Sequence, residues 1–256
     1  MQKVCVVIPC FNEEHRLRSA DFLSFIAGHP ASSLCFVDDG SRDGTPAVLE
    51  RLHAQCPERI LVHRLSTNCG KAEAVRDGVL HVAADGRWPI VGYWDADLST
   101  PLDEVDRLLD VLRQSPECPL ALGSRVKRLG AQIERRISRH ILGRIFATLA
   151  SAILGFEVYD SQCGAKLFRV GIVPVLFGEP FLTKWLFDLE MLVRLRNAVG
   201  PSVTQITREV PLGRWQEVSG SKLALSDMIT VPLELLKIRA HYNATRSRRI
   251  TPRSAG

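Results

Sequence analysis

No stretch of this 256-residue chain reaches the ~18 consecutive apolar residues that a membrane-spanning helix requires. The longest candidate, Ile145 to Phe156, is too short and follows Arg144. No signal-peptide pattern opens the chain, because acids and a helix-start pattern follow Pro9 directly. The seven cysteines form no C-x-x-C pair and no metal-type spacing, and their number is odd. That argues against a disulfide framework and for a reducing, cytoplasmic compartment. No Gly/Ser linker, low-complexity tract or internal repeat divides the sequence. A single domain over residues 1–236 is therefore expected, followed by a basic, flexible tail over 237–256. The apolar share of 46% is ample for its core.

The tail has no acids at all. From Lys237 to Gly256 there are six Lys/Arg, enough to leave the rest of the chain near neutral although the whole carries +5. A second basic cluster, Arg125, Lys127, Arg128, Arg135, Arg136, Arg139 and Arg144, is relieved only by Glu134. Such patches suit anionic partners such as diphosphates or lipid head groups; a plain solvated surface is the alternative.

What is present is a regular alternation. Strands are expected at Lys3–Pro9, Ser33–Asp38, Arg59–Leu65, Pro89–Trp94 and Leu120–Gly123. Helices are expected at Asn12–Ala27, Pro46–Gln55, Lys71–Ala84 and Pro101–Gln114. Thr45-Pro46 and Thr100-Pro101 each read as an N-cap hydroxyl before a proline at the first helical position. This pattern predicts an α/β fold, a mostly parallel sheet flanked by helices with a Rossmann-like first half. The second half breaks the alternation. Ile137, Ile141, Ile145, Leu149 and Ile153 recur every four residues, an amphipathic helix, and Leu223 to Tyr242 is a second amphipathic stretch interrupted by Pro232.

Three predicted strands end in acids or turn formers: Pro9-Cys10-Phe11-Asn12-Glu13-Glu14, Asp38-Asp39-Gly40-Ser41 and Asp95-Ala96-Asp97. Ligands of open α/β sheets bind outside the carboxyl ends of the strands, so a polar crevice is expected there. Asp95 and Asp97 can reach one hard divalent cation together, and Mg²⁺ or Mn²⁺ prefers such oxygen ligands. An Asx-turn that ends the strand is the lesser alternative for this tripeptide, and Asp39-Gly40 is also a common turn signal. Glu13 and Glu14 are read into a first helical turn, where the dipole favours acids. Gly70-Lys71 opens a helix whose amides could meet a phosphate. Asp160, Asp188 and Glu190 are candidates for base work or acceptor binding, although each alone also fits a surface acid or helix cap.

Taken in order, Pro9-Cys10-Phe11-Asn12-Glu13, Val37-Asp38-Asp39-Gly40-Ser41-Arg42-Asp43-Gly44-Thr45, Gly70-Lys71 and Asp95-Ala96-Asp97 resemble the family-2 glycosyltransferases of GT-A fold. Three further segments resemble its dolichyl-phosphate and polyprenyl-phosphate glucosyltransferases: Asp160 to Phe168, Lys184 to Glu190 and Trp215 to Leu223. The resemblance covers roughly residues 3 to 236. It implies a nucleotide-sugar half over 1–125 and an acceptor half over 126–236. Pro9, Phe11, Glu13 and Asp38 would surround base and ribose, while Asp95, Ala96 and Asp97 would hold diphosphate and a Mg²⁺ or Mn²⁺ ion, Asp97 being its nearer ligand. Lys71, Arg125 and Lys222 would neutralise phosphates. Asp188, then Asp160, would serve as base for a hydroxyl acceptor. Lys71 is followed by Ala72-Glu73 where the family usually has small residues.

The implied reaction is an inverting transfer of a hexose, glucose from UDP-glucose or mannose from GDP-mannose, to a phosphorylated lipid or a small acceptor. No nucleic acid partner is expected. The eukaryotic glucosyl enzymes carry an N-terminal membrane helix and many bacterial relatives carry C-terminal spans. Neither is expected here, so contact with an anionic bilayer would be peripheral, through the helical stripe with Arg135, Arg136 and Arg139. A soluble transferase acting on a small or aromatic-lipid acceptor and a silent nucleotide-sugar-binding protein are the competing readings.

Overall fold

The computed structural model describes residues 2–134, 146–153, 155–218 and 231–242. Its elements in chain order are β1 (Val4–Cys10), α1 (Ser19–Gly28), β2 (Ser32–Asp38), α2 (Thr45–Gln55), β3 (Ile60–Arg64), α3 (Lys71–Asp85), β4 (Ile90–Trp94), α4 (Glu104–Gln114) and β5 (Leu120–Ser124). Then follow β6 (Gln132–Glu134), α5 (146–153), β7 (Ala165–Arg169), the short α6 (Val173–Phe177), α7 (Phe187–Val199), the short α8 (Val203–Ile206), β8 (Thr207–Pro211), β9 (Arg214–Gln216) and α9 (231–242). Seven strands form one sheet in the order β3-β2-β1-β4-β7-β5-β8.

β1 and β2 are apolar on both faces, as strands covered on two sides must be. Val4, Val6 and Ile8 pack with Leu34 and Phe36 against α1, α2 and α4. The intervening Cys5, Val7, Cys35 and Val37 pack against α3, with α6, α7 and α9 in the same cluster. The period of two thus divides each strand between two helical layers.

The sheet is parallel except at β7, which runs antiparallel to both β4 and β5. A chain segment from the second half therefore fills a central place between two strands of the first. Gly92 of β4 makes that approach possible: a Cβ there would lie 2.3 Å from the Lys166 carbonyl oxygen of β7.

Several expectations need correction. Residues 12–16 are turn rather than helix, and α1 begins only at Ser19. α4 begins at Glu104, so the Thr100-Pro101 start is not used; the Thr100 carbonyl instead accepts the Trp94 indole N–H at 2.8 Å. At Thr45-Pro46 the hydroxyl turns away from its own helix to accept the Glu13 amide at 2.7 Å. In α5, Ala147 and Ala150 are buried while Leu149 of the predicted stripe is exposed. Ile137, Ile141 and Ile145 lie outside the described residues, as do Arg135, Arg136 and Arg139. Residues 237–242, expected in the tail, are helical, with Ile238 in the core. Among the described residues no helix is long and apolar enough to cross a membrane.

Candidate functional site

Parallel neighbours β2, β1 and β4 end side by side, at Asp38, Cys10 and Trp94. A cavity of about 630 Å³ opens at the first two ends. Phe11 and Asp38 line it, with Ser41, Arg42, Arg64 and Asn68 among the others. The buried Asp38 carboxylate accepts the Ser41 amide at 3.0 Å, which fixes the turn around Gly40. Pro9 and Glu13 are not on the lining.

Glu13 and Glu14 do not begin a helix. The Glu14 amide donates to Asp43 at 3.2 Å, and the Glu14 carboxylate accepts the Gly44 amide at 2.9 Å. Asp43 in turn accepts the amide and hydroxyl of Thr45, at 3.0 and 2.6 Å. Glu13, through its amide, and Glu14 therefore brace the 43–45 segment, next to Ser41 and Arg42 of the cavity lining. These loop partners stand some thirty residues away in sequence, so local spacing carries no sign of them, whereas the Glu13 carboxylate meets Arg16 only three residues on.

Asp95 and Asp97 follow β4 in a tight turn. Leu98 takes the left-handed φ of 52°, and Ser99 donates its amide to Asp97 at 2.9 Å. The Asx-turn and a partly exposed carboxylate pair are thus both present. Lys71 reaches Asp95 at 2.5 Å and Arg16 reaches Asp97 at 3.8 Å, all four side chains being partly exposed. Arg16 was not foreseen, because nothing in its neighbourhood marks it. Burial works to lower the Lys71 ammonium, but Asp95, Asp188 and Asp97 outweigh it and raise its pKa.

The loop before Lys71 is set by Asp39. Its two carboxylate oxygens accept the amides of Cys69 and Gly70, at 2.7 and 2.9 Å. Burial pushes the Asp39 carboxyl upward, and those two amides pull it back. Glu73 also has a structural partner, accepting the Phe181 amide at 2.8 Å.

Opposite Asp95 stands Gly164. The Asp95 amide donates to the Gly164 carbonyl at 3.1 Å, and a Cβ on Gly164 would lie 1.9 Å from the Asp95 carboxylate. Any side chain there would displace the acid.

Two carboxylates offer hard oxygen ligands, and Mg²⁺ is commonly held by one or two carboxylates plus substrate phosphates. Among the described residues no group of three or more His, Cys, Asp or Glu forms a complete cage. The chemistry of this two-carboxylate set fits a divalent cation that arrives with a diphosphate.

Arg125 and Asp160 come together, but on each other. The guanidinium makes a two-pronged contact at 2.6 and 2.7 Å, and the Arg125 amide adds a third at 3.1 Å. Glu209 accepts the Tyr159 and Asp160 amides, each at 2.8 Å, and the guanidinium lies 5.4 Å from the Trp215 ring centre. Asp188 is 3% exposed and accepts Lys166 at 2.6 Å together with the Tyr93 hydroxyl. Burial pushes its carboxyl up to about 8, against the pull of Lys71, and pushes the Lys166 ammonium down to about 8. Asp160 is thus paired with Arg125, and Asp188 with Lys166. Glu190 is fully buried, holding the amides of Leu182 and Thr183 at 3.0 and 2.9 Å. Lys222 lies outside the described residues.

Residues 5–177 match the family model described as glycosyl transferase family 2. The dolichyl-phosphate beta-glucosyltransferase of Saccharomyces cerevisiae is 31% identical over 261 residues, covering 93% of this chain and 74% of the relative. That of Drosophila melanogaster is 34% identical over 235 residues, covering 86% and 69%. Among solved structures, glucosyl-3-phosphoglycerate synthase from Mycobacterium tuberculosis, in complex with Mn²⁺, UDP and glucosyl-3-phosphoglycerate, superposes with a TM-score of 0.67. Its identity is 19%, over 94% of this chain and 80% of that one.

Proposed function

The chain belongs to glycosyl transferase family 2 and has the GT-A fold, and on that premise we propose that it transfers glucose, with inversion, from UDP-glucose to a polyprenyl-phosphate or dolichyl-phosphate acceptor. The observation that carries this is the sheet edge itself, where a nucleotide-sized cavity at Asp38 adjoins the partly exposed Asp95 and Asp97. The names of the relatives supply the sugar and the lipid class.

In this reading the cavity over Phe11 and Asp38 takes uracil and ribose. Asp97 and Asp95 hold a divalent cation, which supplies electrostatic stabilisation to the leaving diphosphate when bound. Lys71 and Arg16 stand beside the two acids and neutralise further phosphate charge. An acceptor phosphate oxygen bonds to the anomeric carbon while the bond to the diphosphate breaks, and its electron pair leaves with UDP. A phosphate monoester is already mostly ionised at pH 7, its second pKa being near ~6, so this reading assigns no base to Asp188 or Asp160.

Donor binding is expected to need the cation. Calorimetry with Mn²⁺ should show UDP-glucose binding more tightly than GDP-mannose, and excess EDTA should weaken it at least about tenfold, ~1.4 kcal/mol. Undiminished affinity in EDTA would remove Asp95 and Asp97 from the metal role, and preference for GDP-mannose would change the donor.

The acceptor reading has its own test. On α9 the buried Leu235 and Ile238 face the core, whereas Leu233 and Leu236 are 69% and 60% exposed beside Lys237 and Arg239. Lys237 donates to the Leu182 carbonyl at 3.2 Å, which ties this helix to the loop before α7. Apolar side chains flanked by cations suit an anionic bilayer surface. Sedimentation with anionic liposomes at low salt should carry the protein down, and added salt should release it. Protein left wholly in the supernatant would favour a soluble acceptor.

A further inference from the structure

Lysine is almost never fully buried unless it is paired, yet Lys166 is 0% exposed in β7. Its ammonium donates to two oxygens, the Cys163 carbonyl and the Asp188 carboxylate, each at 2.6 Å. The Tyr93 hydroxyl donates to the same Asp188 oxygen. Tyr93 is also the cross-strand partner of Lys166, and the ammonium lies 5.3 Å from its ring centre.

Three segments that shape the diphosphate end of the site meet on this one cation. The Cys163–Gly164 backbone is the first; its Gly164 carbonyl binds the Asp95 amide, and the Asp95 carboxylate lies against its α-carbon. The N-terminus of α7 is the second, through Asp188, whose charge acts on Lys71; the Lys71 ammonium also stands 5.9 Å from the neighbouring Phe187 ring. The end of β4 is the third, through Tyr93, two residues before Asp95. A buried ion pair is a poor source of stability, because an apolar pair of similar volume is often as good or better. Packing alone does not call for a lysine at this point.

We infer that Lys166 is a positioning residue for the diphosphate site, holding the Cys163–Gly164 backbone and the Asp188–Tyr93 pair in the arrangement that keeps Asp95 and Lys71 in place. The inference rests on the donor reading above, in which Asp95 and Lys71 meet a cation and a diphosphate.

The test compares Lys166→Met, Asp188→Asn and the double variant in the full chain. Lys166→Met alone strands the Asp188 carboxylate and should lower the melting temperature. The double variant removes both charges and should regain most of that loss. UDP affinity in Mn²⁺, measured by calorimetry, is nevertheless expected to stay at least tenfold weaker than wild type in the double variant. Uridine binding, followed by ligand-observed NMR, should be unchanged, because the cavity at Asp38 is untouched. A double variant with regained melting temperature and wild-type UDP affinity would overturn the inference. Should the double variant not fold, Tyr93→Phe decides: it removes only the hydroxyl on Asp188, and unchanged UDP affinity there would overturn the inference equally. Wild-type protein that bound no UDP in Mn²⁺ would refute the donor reading itself, and this inference with it.

Discussion

Gly164→Ala is expected to reduce glycosyl transfer by about 100-fold, the scale of loss that follows a misplacement of about 1 Å at a reacting centre. The added methyl would stand 1.9 Å from one Asp95 carboxylate oxygen and 2.6 Å from the other. The methyl cannot give way, since its α-carbon belongs to the segment whose carbonyl binds the Asp95 amide at 3.1 Å. The acid must therefore rotate, which also breaks its 2.5 Å contact with Lys71. Neither Gly164 nor Asp95 lines the cavity at Asp38, so uridine should still bind normally. Steady-state kinetics with UDP-glucose and Mn²⁺, paired with uridine titration, provides the check. Turnover within about threefold of wild type would mean that Asp95 tolerates another rotamer and does not hold the cation.

Asp160→Ala is expected to act on stability first. It removes both partners of a nearly buried guanidinium and the acceptor of the Arg125 amide. Burial by itself would lower the Arg125 pKa; the Asp160 charge and hydrogen bonds overcome this and raise it. Removing one member of a buried pair costs about 3–5 kcal/mol, because the other charge is left uncompensated. At roughly 2–4 °C per kcal/mol for a chain of this size, the melting temperature should fall by roughly 6–20 °C. Urea unfolding measures the free energy directly. A loss below about 1 kcal/mol would put the pair among solvent-screened surface contacts and would free Arg125 to serve the acceptor.

The first half of the fold could be read from its sequence because each strand is a continuous apolar run and each helix keeps one apolar stripe. The sheet edge with Asp38, Asp95 and Asp97 follows from that order alone. Roles that depend on distant partners could not be read in the same way. Glu13 and Glu14 sit where a helix start would put acids, yet the Glu13 amide donates to Thr45, the Glu14 amide to Asp43, and the Glu14 carboxylate accepts from Gly44. Asp39 looks like half of a turn signal until Cys69 and Gly70 are folded onto it. β7 escaped notice because Lys166 interrupts the apolar run of Ala165, Leu167 and Phe168, and only the burial of its ammonium makes the segment a central strand. Asp160 and Asp188 were recognised as important acids, but the sequence does not say that each is already committed to a cation.

The place of β7 between β4 and β5 also bears on how the chain is made. β5 ends at Ser124 and β7 begins at Ala165, about 40 residues later. At synthesis rates of about 5–20 residues per second, that interval lasts on the order of 2–8 s. Throughout it, β4 and β5 lack the strand that joins them, and an unpaired strand edge is a template for pairing with other chains. The ribosome thus delivers the nucleotide cavity well before the sheet can close. When β7 does arrive it brings Lys166 and, two residues before it, Gly164, so β4 and β5 are joined in the same event that sets Gly164 against Asp95.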